Sequence, residues 1–461
     1  MRDLSALIKA YDVRGIVPDQ WGPDLAREAG VAFVEVLGIR TQDGGEGKIV
    51  IGHDMRPTGP ELVAAFIEGV TSAGVDVINI GLCSTDGLYF ASGRHNVPGA
   101  MFTASHNPAE YNGIKLCRAG AAPVGQDTGL AEIRQMLESE ELPTYDGPAG
   151  TTSNVDMLSA YSEFLRELVP LEGIRHLKVV IDTGNGMGGY TVPAVLGSQL
   201  LSALPLDIDE MYFELDGTFP NHEANPIDPE NLRDLQKRVL EVGADIGLAF
   251  DGDADRCFVV DEKGQIVDPS TLTALIATRE LAKEPGSVII HNLITSRSVP
   301  EIVVENGGTP VRTRVGHSFI KATMAETGAI FGGEHSGHFY FREFWKADSG
   351  MLAAMHALAA LGETAPGTSL SSLLSAFIRY VPSGEINTRV DDAPAVIERI
   401  RNEYAAKDVT IDTLDGLTVA ADTWWFNVRS SNTEPLLRLN AEASSVEDME
   451  ALRDSVLALM K

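Results

Sequence analysis

Three carboxylates at alternate positions, Asp251, Asp253 and Asp255, stand in the run Asp-Gly-Asp-Ala-Asp-Arg at 251–256, directly after a strand-like run at 244–250. Oxygen donors so spaced can converge on one hard divalent cation and leave positions open for a phosphate oxygen and water, which is the chemistry of Mg²⁺. Three charges this close repel unless neutralised, and a metal together with Arg256 would neutralise them. A calcium loop of the EF-hand type needs a glutamate at its twelfth position, where Glu262 stands. The strand-like run at 257–260, in place of a flanking helix, argues against calcium. A solvated acidic turn is the plainer alternative.

A second stretch, Thr-Ala-Ser-His-Asn-Pro at 103–108, follows a short apolar run at 99–102. Its Asn-Pro pair marks a turn, so Ser105 is expected just past a strand end on an exposed loop, where a hydroxyl can carry a group or merely cap the turn. The third, Gly332-Gly333-Glu334-His335-Ser336-Gly337-His338, lies between apolar runs at 329–331 and 339–341. Its glycines let backbone approach a ligand, and Glu334 with Ser336 offers acceptors suited to adjacent sugar hydroxyls; a polar hairpin fits the same residues. His335 and His338 complete no carboxylate-and-histidine set locally and are read first as hydrogen-bonding residues. The fourth, Arg429-Ser430-Ser431-Asn432-Thr433-Glu434-Pro435, sets one arginine before three hydroxyls and an amide. That is a donor-rich nest of the composition that holds a phosphate dianion, and a turn that only ends a strand has no need of Arg429.

The elements that position these motifs follow a repeated βαβ plan. A strand at 48–52, a helix at 61–73 and a strand at 75–80 recur as a strand at 177–181 with an apolar segment at 190–196, and again as 287–290, 299–305 and 309–312. Such alternation implies parallel sheets with right-handed crossovers, in which ligands gather at the carboxyl ends of the strands. The C-terminal part differs. Strands at 386–390, 409–413, 417–420, 424–429 and 436–441 come with only two helices, 394–405 and 446–460, which predicts a small α+β domain with an antiparallel sheet. At roughly 100 to 200 residues per domain the chain divides into three or four. The expected domains are 1–150, 151–265, 266–377 and 378–461, with 140–154 the most linker-like segment.

Across 461 residues, Lys and Arg number 36 against 66 Asp and Glu, a net charge of −30. This overall field disfavours nonspecific binding to nucleic acid or anionic membrane, so an anionic ligand must meet a locally basic pocket. Cys83, Cys117 and Cys257 are widely spaced and flanked by apolar residues, which argues against a disulfide framework or zinc site and for a reducing compartment. The N-terminal stretch lacks the apolar core of a secretory signal, and no run reaches the roughly 18 apolar residues of a membrane helix. The expectation is a soluble cytoplasmic protein.

With four motifs in this order and at these spacings, the chain resembles the α-D-phosphohexomutase superfamily over nearly its whole length, in particular the phosphomannomutase and phosphoglucomutase members. The resemblance implies an α/β fold of four domains around a central cleft, three with mixed, largely parallel sheets and a C-terminal α+β domain. It implies that Ser105 is phosphorylated in the active enzyme, with His106 and Asn107 beside it. Asp251, Asp253 and Asp255 resemble the Mg²⁺ ligands, with the phosphoserine oxygen on Ser105 as a fourth. Glu334 and Ser336 match the sugar-binding loop, and Arg429, Ser431, Asn432 and Thr433 the loop around the substrate's non-transferring phosphate. Tyr11 and Arg14 in Tyr11-Asp12-Val13-Arg14-Gly15, Lys115 in Asn112-Gly113-Ile114-Lys115 and His317 in Val315-Gly316-His317 match positions lining the cleft. Some members carry a basic residue in the loop at 291–298, where this chain has Arg297 and no lysine.

The implied reaction is a phosphoryl relay. Phosphoserine 105 donates to a hexose monophosphate, the enzyme-bound hexose 1,6-bisphosphate reorients, and its other phosphate returns to Ser105. Arg256 and Lys115, with Mg²⁺, would neutralise the transferring group, and Lys115, His317 and Arg14 are the base candidates. Glu-His-Ser in the sugar loop resembles the mannose/glucose branch more than phosphoglucosamine mutases, which tend to have glutamine where His335 stands. Phosphomannomutase is favoured, with dual mannose and glucose specificity as the alternative. Monomer or homodimer, and a place in GDP-mannose supply, are what the family implies. Two further readings are weaker: aspartyl-phosphate phosphatases put Thr or Val where Asp255 stands, and a noncatalytic sugar-phosphate binder has no need of an intact Ser105 and aspartate triad.

Overall fold

The computed structural model describes residues 2–9, 11–430 and 436–461, the side chains at 317 and 318 excepted. The chain forms two compact units, Met1–Val267 with Ser336–Leu373, and Asp268–His335 with Leu374–Lys461.

The first unit holds two sheets. In one, the strand Lys48–His53 lies parallel to Asp76–Leu82 on one side and Gly99–Phe102 on the other. Tyr111–Arg118 runs antiparallel to Gly99–Phe102, and Val13–Ile16 antiparallel to Tyr111–Arg118. All four residues of Gly99–Phe102 are buried, as an apolar strand covered on both faces must be. Register places Lys115 opposite Met101, on the strand beside the one that feeds Ser105, and Arg14 opposite Gly113, one strand further out. In the second sheet Ile246–Phe250 lies between Leu177–Asp182, parallel, and Cys257–Asp261, antiparallel. Asp251 therefore begins at the carboxyl end of a central, fully buried strand. The same unit carries the antiparallel pair Phe339–Phe341 and Ala347–Asp348 and the helix Gly350–Gly362, whose thirteen residues are all buried.

The second unit holds the parallel strands Thr309–Thr313, Val288–Asn292 and Phe331–Gly333. It also holds an antiparallel sheet in the order Val381–Arg389, Leu436–Ala443, Trp424–Ser430, Leu417–Ala420, Thr410–Asp412. Two helices, Ala393–Tyr404 and Val446–Met460, lay Ile400, Tyr404, Leu452 and Val456 on one face of that sheet to form its core. The α/β and α+β plans read from the sequence are thus both present.

Two segments differ from the sequence reading. The linker-like stretch ends in a strand, Thr152–Asn154, added parallel to Asp76–Leu82. Asp76 Oδ1 fixes it there, accepting from Thr151 N at 2.7 Å and Thr151 Oγ1 at 2.8 Å. Beyond the apolar segment at 190–196, which is the helix Gly188–Val195, the βαβ unit closes with the strand Leu206–Met211. That strand lies at a sheet edge and is only half buried, so acidic residues break up the apolar run that would have marked it. Among the described residues, no helix is long and apolar enough to cross a membrane, and all three cysteines are free and buried.

Candidate active site

Ser105 follows the strand Gly99–Phe102 as expected, but it is not itself exposed: the residue is 4% accessible, while Pro108 further along the loop is exposed. Its hydroxyl donates to Asp251 Oδ2 at 2.8 Å and lies 3.1 Å from His106 Nδ1 and 3.4 Å from Arg256 Nη2. The metal-type loop covers it from one side. The approach is closest at Gly252, where a Cβ would stand 2.4 Å from Ser105 O, so only glycine fits. From the other side the buried guanidinium of Arg56 fills the loop's interior.

The three aspartates converge. All are buried, and one carboxylate oxygen from each lies within 4.8 Å of the others. Arg256 Nε donates to Asp251 Oδ2 at 2.8 Å, and Lys115 Nζ donates to Asp253 Oδ2 at 2.7 Å and Asp255 Oδ2 at 2.6 Å. The protein therefore supplies two cations of its own against three carboxylates, one more than the neutralisation argument identified. Asp253 Oδ1 and Asp255 Oδ1 are buried with no hydrogen-bond partner. An all-oxygen donor set with two such atoms fits a hard divalent cation.

The electrostatics follow from burial and these pairings. Burial would raise Asp253, but Lys115 and a hydrogen bond from Thr85 overcome it and hold the carboxyl far below its ordinary range. For Asp251 burial outweighs Arg256, and its pKa is pushed up to about 7. Burial would lower Lys115, yet Asp253 and Asp255 hold its ammonium well above the ordinary value. Burial, then Arg256 and Arg14, hold His106 well below the ordinary imidazole value, so the ring beside Ser105 Oγ is neutral. Arg14 Nη1 donates to Asn107 Oδ1 at 2.7 Å and its other arm pairs with Asp12. Tyr11 sits just before that strand, partly buried.

Sequence reasoning passed over two contributors. Thr85, the first residue of the helix Thr85–His95, donates through Oγ1 to Asp253 Oδ2 at 2.6 Å and through its backbone N to Asp253 O at 3.0 Å. Ser-Thr-Asp at 84–86, a capping sequence at a strand-to-helix turn, was the available signal. His338 has no carboxylate set near it in sequence. The fold supplies one, with His338 Nε2 at 3.7 Å from Asp255 Oδ1 and 4.0 Å from Asp348 Oδ2, while Ser336 Oγ lies 2.9 Å from His338 Nδ1.

Behind Thr85, Asp86 is fully buried and accepts from Ser84 Oγ, from Tyr161 OH at 2.8 Å and from Ser349 Oγ at 2.7 Å. Burial outweighs these three donors and pushes its pKa up to about 6. The folded protein then binds this proton near pH 6, whereas the unfolded chain binds it only near pH 4. Ionisation of Asp86 costs stability above pH 6, by about 3 kcal/mol at one pKa unit per 1.36 kcal/mol, and the cost disappears as pH falls towards 4. The expected outcome is that wild type gains stability relative to Asp86→Asn between pH 7 and pH 4, measured by urea unfolding. A gap that stays constant with pH would refute it.

The second unit carries the other expected residues. Glu334 is buried, its Oε1 accepting from Asn292 Nδ2 at 3.3 Å and Gly316 N at 3.2 Å. His317 begins the helix His317–Thr327. Arg429 donates through Nη2 to Glu385 Oε2 at 3.0 Å. Ser431, Asn432 and Thr433 lie outside the described residues. Arg297 donates to Ala421 O at 2.6 Å and lies 5.9 Å from the Tyr380 ring centroid, an anchoring role within this unit.

Comparison with known proteins agrees with this arrangement. Family models match the chain in four consecutive pieces: phosphoglucomutase/phosphomannomutase α/β/α domain I at 5–144, domain II at 159–264, domain III at 268–380 and the C-terminal domain at 385–459. A phosphomannomutase of Salmonella montevideo is 39% identical over 456 residues, with 98% of each chain covered. Proteins named phosphohexose mutases from Xanthomonas campestris pv. campestris are 41% identical over 436 residues, 94% of each chain. The crystal structure of a phosphoglucomutase/phosphomannomutase family protein from Burkholderia thailandensis superposes with a TM-score of 0.86 at 32% identity, covering 99% of this chain and 97% of that one. With matches of this extent along its whole length, the chain belongs to the phosphoglucomutase/phosphomannomutase family, on the phosphomannomutase branch of the α-D-phosphohexomutase superfamily, and is an intramolecular phosphotransferase.

Proposed function

We propose that the protein is a phosphomannomutase that interconverts mannose 1-phosphate and mannose 6-phosphate through a phosphorylated Ser105. The observation that carries the reading is the placement of Ser105 Oγ 2.8 Å from Asp251 within a buried triad of carboxylates. Its substrate class is supported by the phosphomannomutase relatives matched over nearly the full chain.

In this mechanism the P–O bond to Ser105 breaks as a substrate hydroxyl oxygen bonds to phosphorus, giving a hexose 1,6-bisphosphate. After the bisphosphate turns, its other phosphate returns to Ser105 and the monophosphate isomer leaves. Asp251, Asp253 and Asp255 would hold Mg²⁺, which supplies neutralisation of the phosphoryl charge. Arg256 Nη2, 3.4 Å from Ser105 Oγ, adds a fixed donor to that group. Lys115 is held protonated by two carboxylates, which suits it to charge stabilisation rather than to taking the hydroxyl proton. His106 is neutral and can accept a proton; Arg14 positions the loop through Asn107. His317 is the second candidate for the base. Glu334 and Ser336 bind sugar hydroxyls, Tyr11 lines the substrate site, and Arg429 with Ser431, Asn432 and Thr433 binds the non-transferring phosphate.

The relatives named phosphohexose mutases favour a second reading, a dual mannose and glucose enzyme. Turnover of mannose 1-phosphate and glucose 1-phosphate, compared side by side with Mg²⁺ and a trace of hexose 1,6-bisphosphate, separates the two. The expected result is a kcat/KM for the mannose substrate at least about tenfold higher, the scale of discrimination from one hydroxyl's contacts. Equal values would establish the dual enzyme, and turnover of neither would refute both.

A further inference from the structure

The turn that carries Ser105 is strained. Ser105 itself has φ of +50°, in the left-handed region that costs a non-glycine residue about 1 to 2 kcal/mol. Such a conformation persists only where its surroundings over-determine it. Thr103 Oγ1 accepts from Ser105 N at 2.8 Å, which fixes one side of the residue. The other side is fixed from within the loop by one side chain.

That side chain is Arg56, on the turn between the strand Lys48–His53 and the helix Gly59–Ser72, and its side chain is 0% exposed. Nη2 donates to Ser105 O at 2.9 Å and Asn107 O at 2.6 Å, and Nη1 donates to Pro108 O at 2.7 Å and Tyr111 O at 2.8 Å. Four main-chain carbonyls, from the reactive residue to the start of the next strand, converge on one planar fork. The fork is itself held. Asp54 Oδ2 lies 3.3 Å from Arg56 Nε, Asp54 Oδ1 accepts from Arg56 N at 3.0 Å, and the Phe219 ring centroid lies 5.2 Å from the guanidinium carbon. A buried cation serving four carbonyls and one carboxylate is an expensive way to close a turn, and an apolar filler would suffice if shape alone mattered. What the planar fork adds is angular precision, because its donors point in fixed directions that a lysine ammonium cannot reproduce.

We propose that Arg56 is a positioning residue of the phosphoryl relay, fixing the direction of Ser105 Oγ by gripping the carbonyls of its loop. It touches neither substrate nor the reacting atoms and acts through the backbone of Ser105. The proposal rests on Ser105 being the phosphoryl carrier. In-line transfer is steep in geometry, and a displacement of about 1 Å costs about 100-fold in rate.

The test is Arg56→Lys, which keeps the charge and removes the fork. Under single turnover, phosphoryl transfer from glucose 1,6-bisphosphate to dephosphorylated Ser105 is expected to slow about 100-fold. The bisphosphate dissociation constant, measured by calorimetry, is expected to stay within about threefold, since binding contacts are untouched. Transfer at a wild-type rate, or slowed transfer matched by an equal loss of binding, would overturn the proposal. Should Arg56→Lys fail to fold, Asp54→Asn, which loosens the fork without removing it, decides. A rate about tenfold lower at unchanged binding supports the proposal, and a wild-type rate overturns it. Ser105→Ala run in parallel separates the premises. If that variant still turns over, the carrier reading itself fails; if it is inactive while Arg56→Lys is normal, only the role of Arg56 fails.

Discussion

Ser105→Ala is expected to lower mutase turnover by a factor on the order of 10⁴ or more while the protein folds normally. The two effects separate by magnitude. Losing the hydroxyl removes one hydrogen bond to Asp251 Oδ2 and one contact with His106 Nδ1, a stability change of about 1 kcal/mol. Losing the group that carries phosphate in the proposed mechanism removes the reaction path itself, and a 10⁴-fold loss corresponds to about 5.4 kcal/mol at 1.36 kcal/mol per decade. A variant that melts near wild type yet does not turn over would place the loss in chemistry. The measurement is mannose 1-phosphate turnover with Mg²⁺ and hexose 1,6-bisphosphate, alongside the intact mass after incubation with bisphosphate. Wild type is expected to gain one phosphate and the variant none. Full turnover by Ser105→Ala would end the phosphoserine mechanism.

The sequence was informative where local patterns coincide with chemistry. Asp251, Asp253 and Asp255 are readable because their spacing alone brings three oxygens together at a strand end, and the strand Ile246–Phe250 is readable because burial on both faces makes it wholly apolar. The antiparallel C-terminal sheet was legible from the succession of strands. What stayed hidden depends on distant partners. Nothing in the local sequence tells that Thr85 lies 168 residues before its partner Asp253, or that Lys115 bridges two aspartates. Ser105 was expected to be exposed because turn chemistry predicts surface, and it is buried because Gly252 lets a second loop close over it. Arg56 stands between the strand at 48–52 and the helix at 61–73 with no local pattern to mark it, since its four partners lie 49 to 55 residues onward.

The overall charge of −30 gives the local cations their meaning. Arg14, Arg56, Lys115 and Arg256 gather in the first unit around Ser105, its loop and the triad, so cations of an otherwise acidic protein are concentrated beside Ser105. All four are committed to carboxylates as well: Arg14 to Asp12, Arg256 to Asp251, Lys115 to Asp253 and Asp255, and Arg56 to Asp54. Each cation thus has a carboxylate partner before ligand arrives, which keeps a buried polar site compatible with folding.

That balance makes Asp253 the residue whose loss should be felt twice. Its Oδ2 accepts from Lys115 Nζ and Thr85 Oγ1, while its Oδ1 is buried without a hydrogen-bond partner and is available to a cation. Asp253→Ala removes one proposed Mg²⁺ ligand and leaves Lys115 with Asp255 alone. The expected result is a fall in kcat on the order of 10³-fold, the range of a lost electrostatic contributor at the reacting group. The Mg²⁺ concentration for half-activation should rise at least about tenfold. Stability should fall as well, by about 3 to 5 kcal/mol, because a buried cation loses a partner. Asp253→Asn separates the two losses, since the amide oxygen still accepts from Thr85 and preserves volume, so stability recovers in part while kcat does not. In wild type, chelation should abolish turnover and added Mg²⁺ restore it, whereas Asp253→Ala should not recover at the same Mg²⁺ concentration. Wild-type turnover that survives exhaustive chelation would refute the metal role. An unchanged Mg²⁺ requirement in Asp253→Ala would instead confine the residue to holding Lys115.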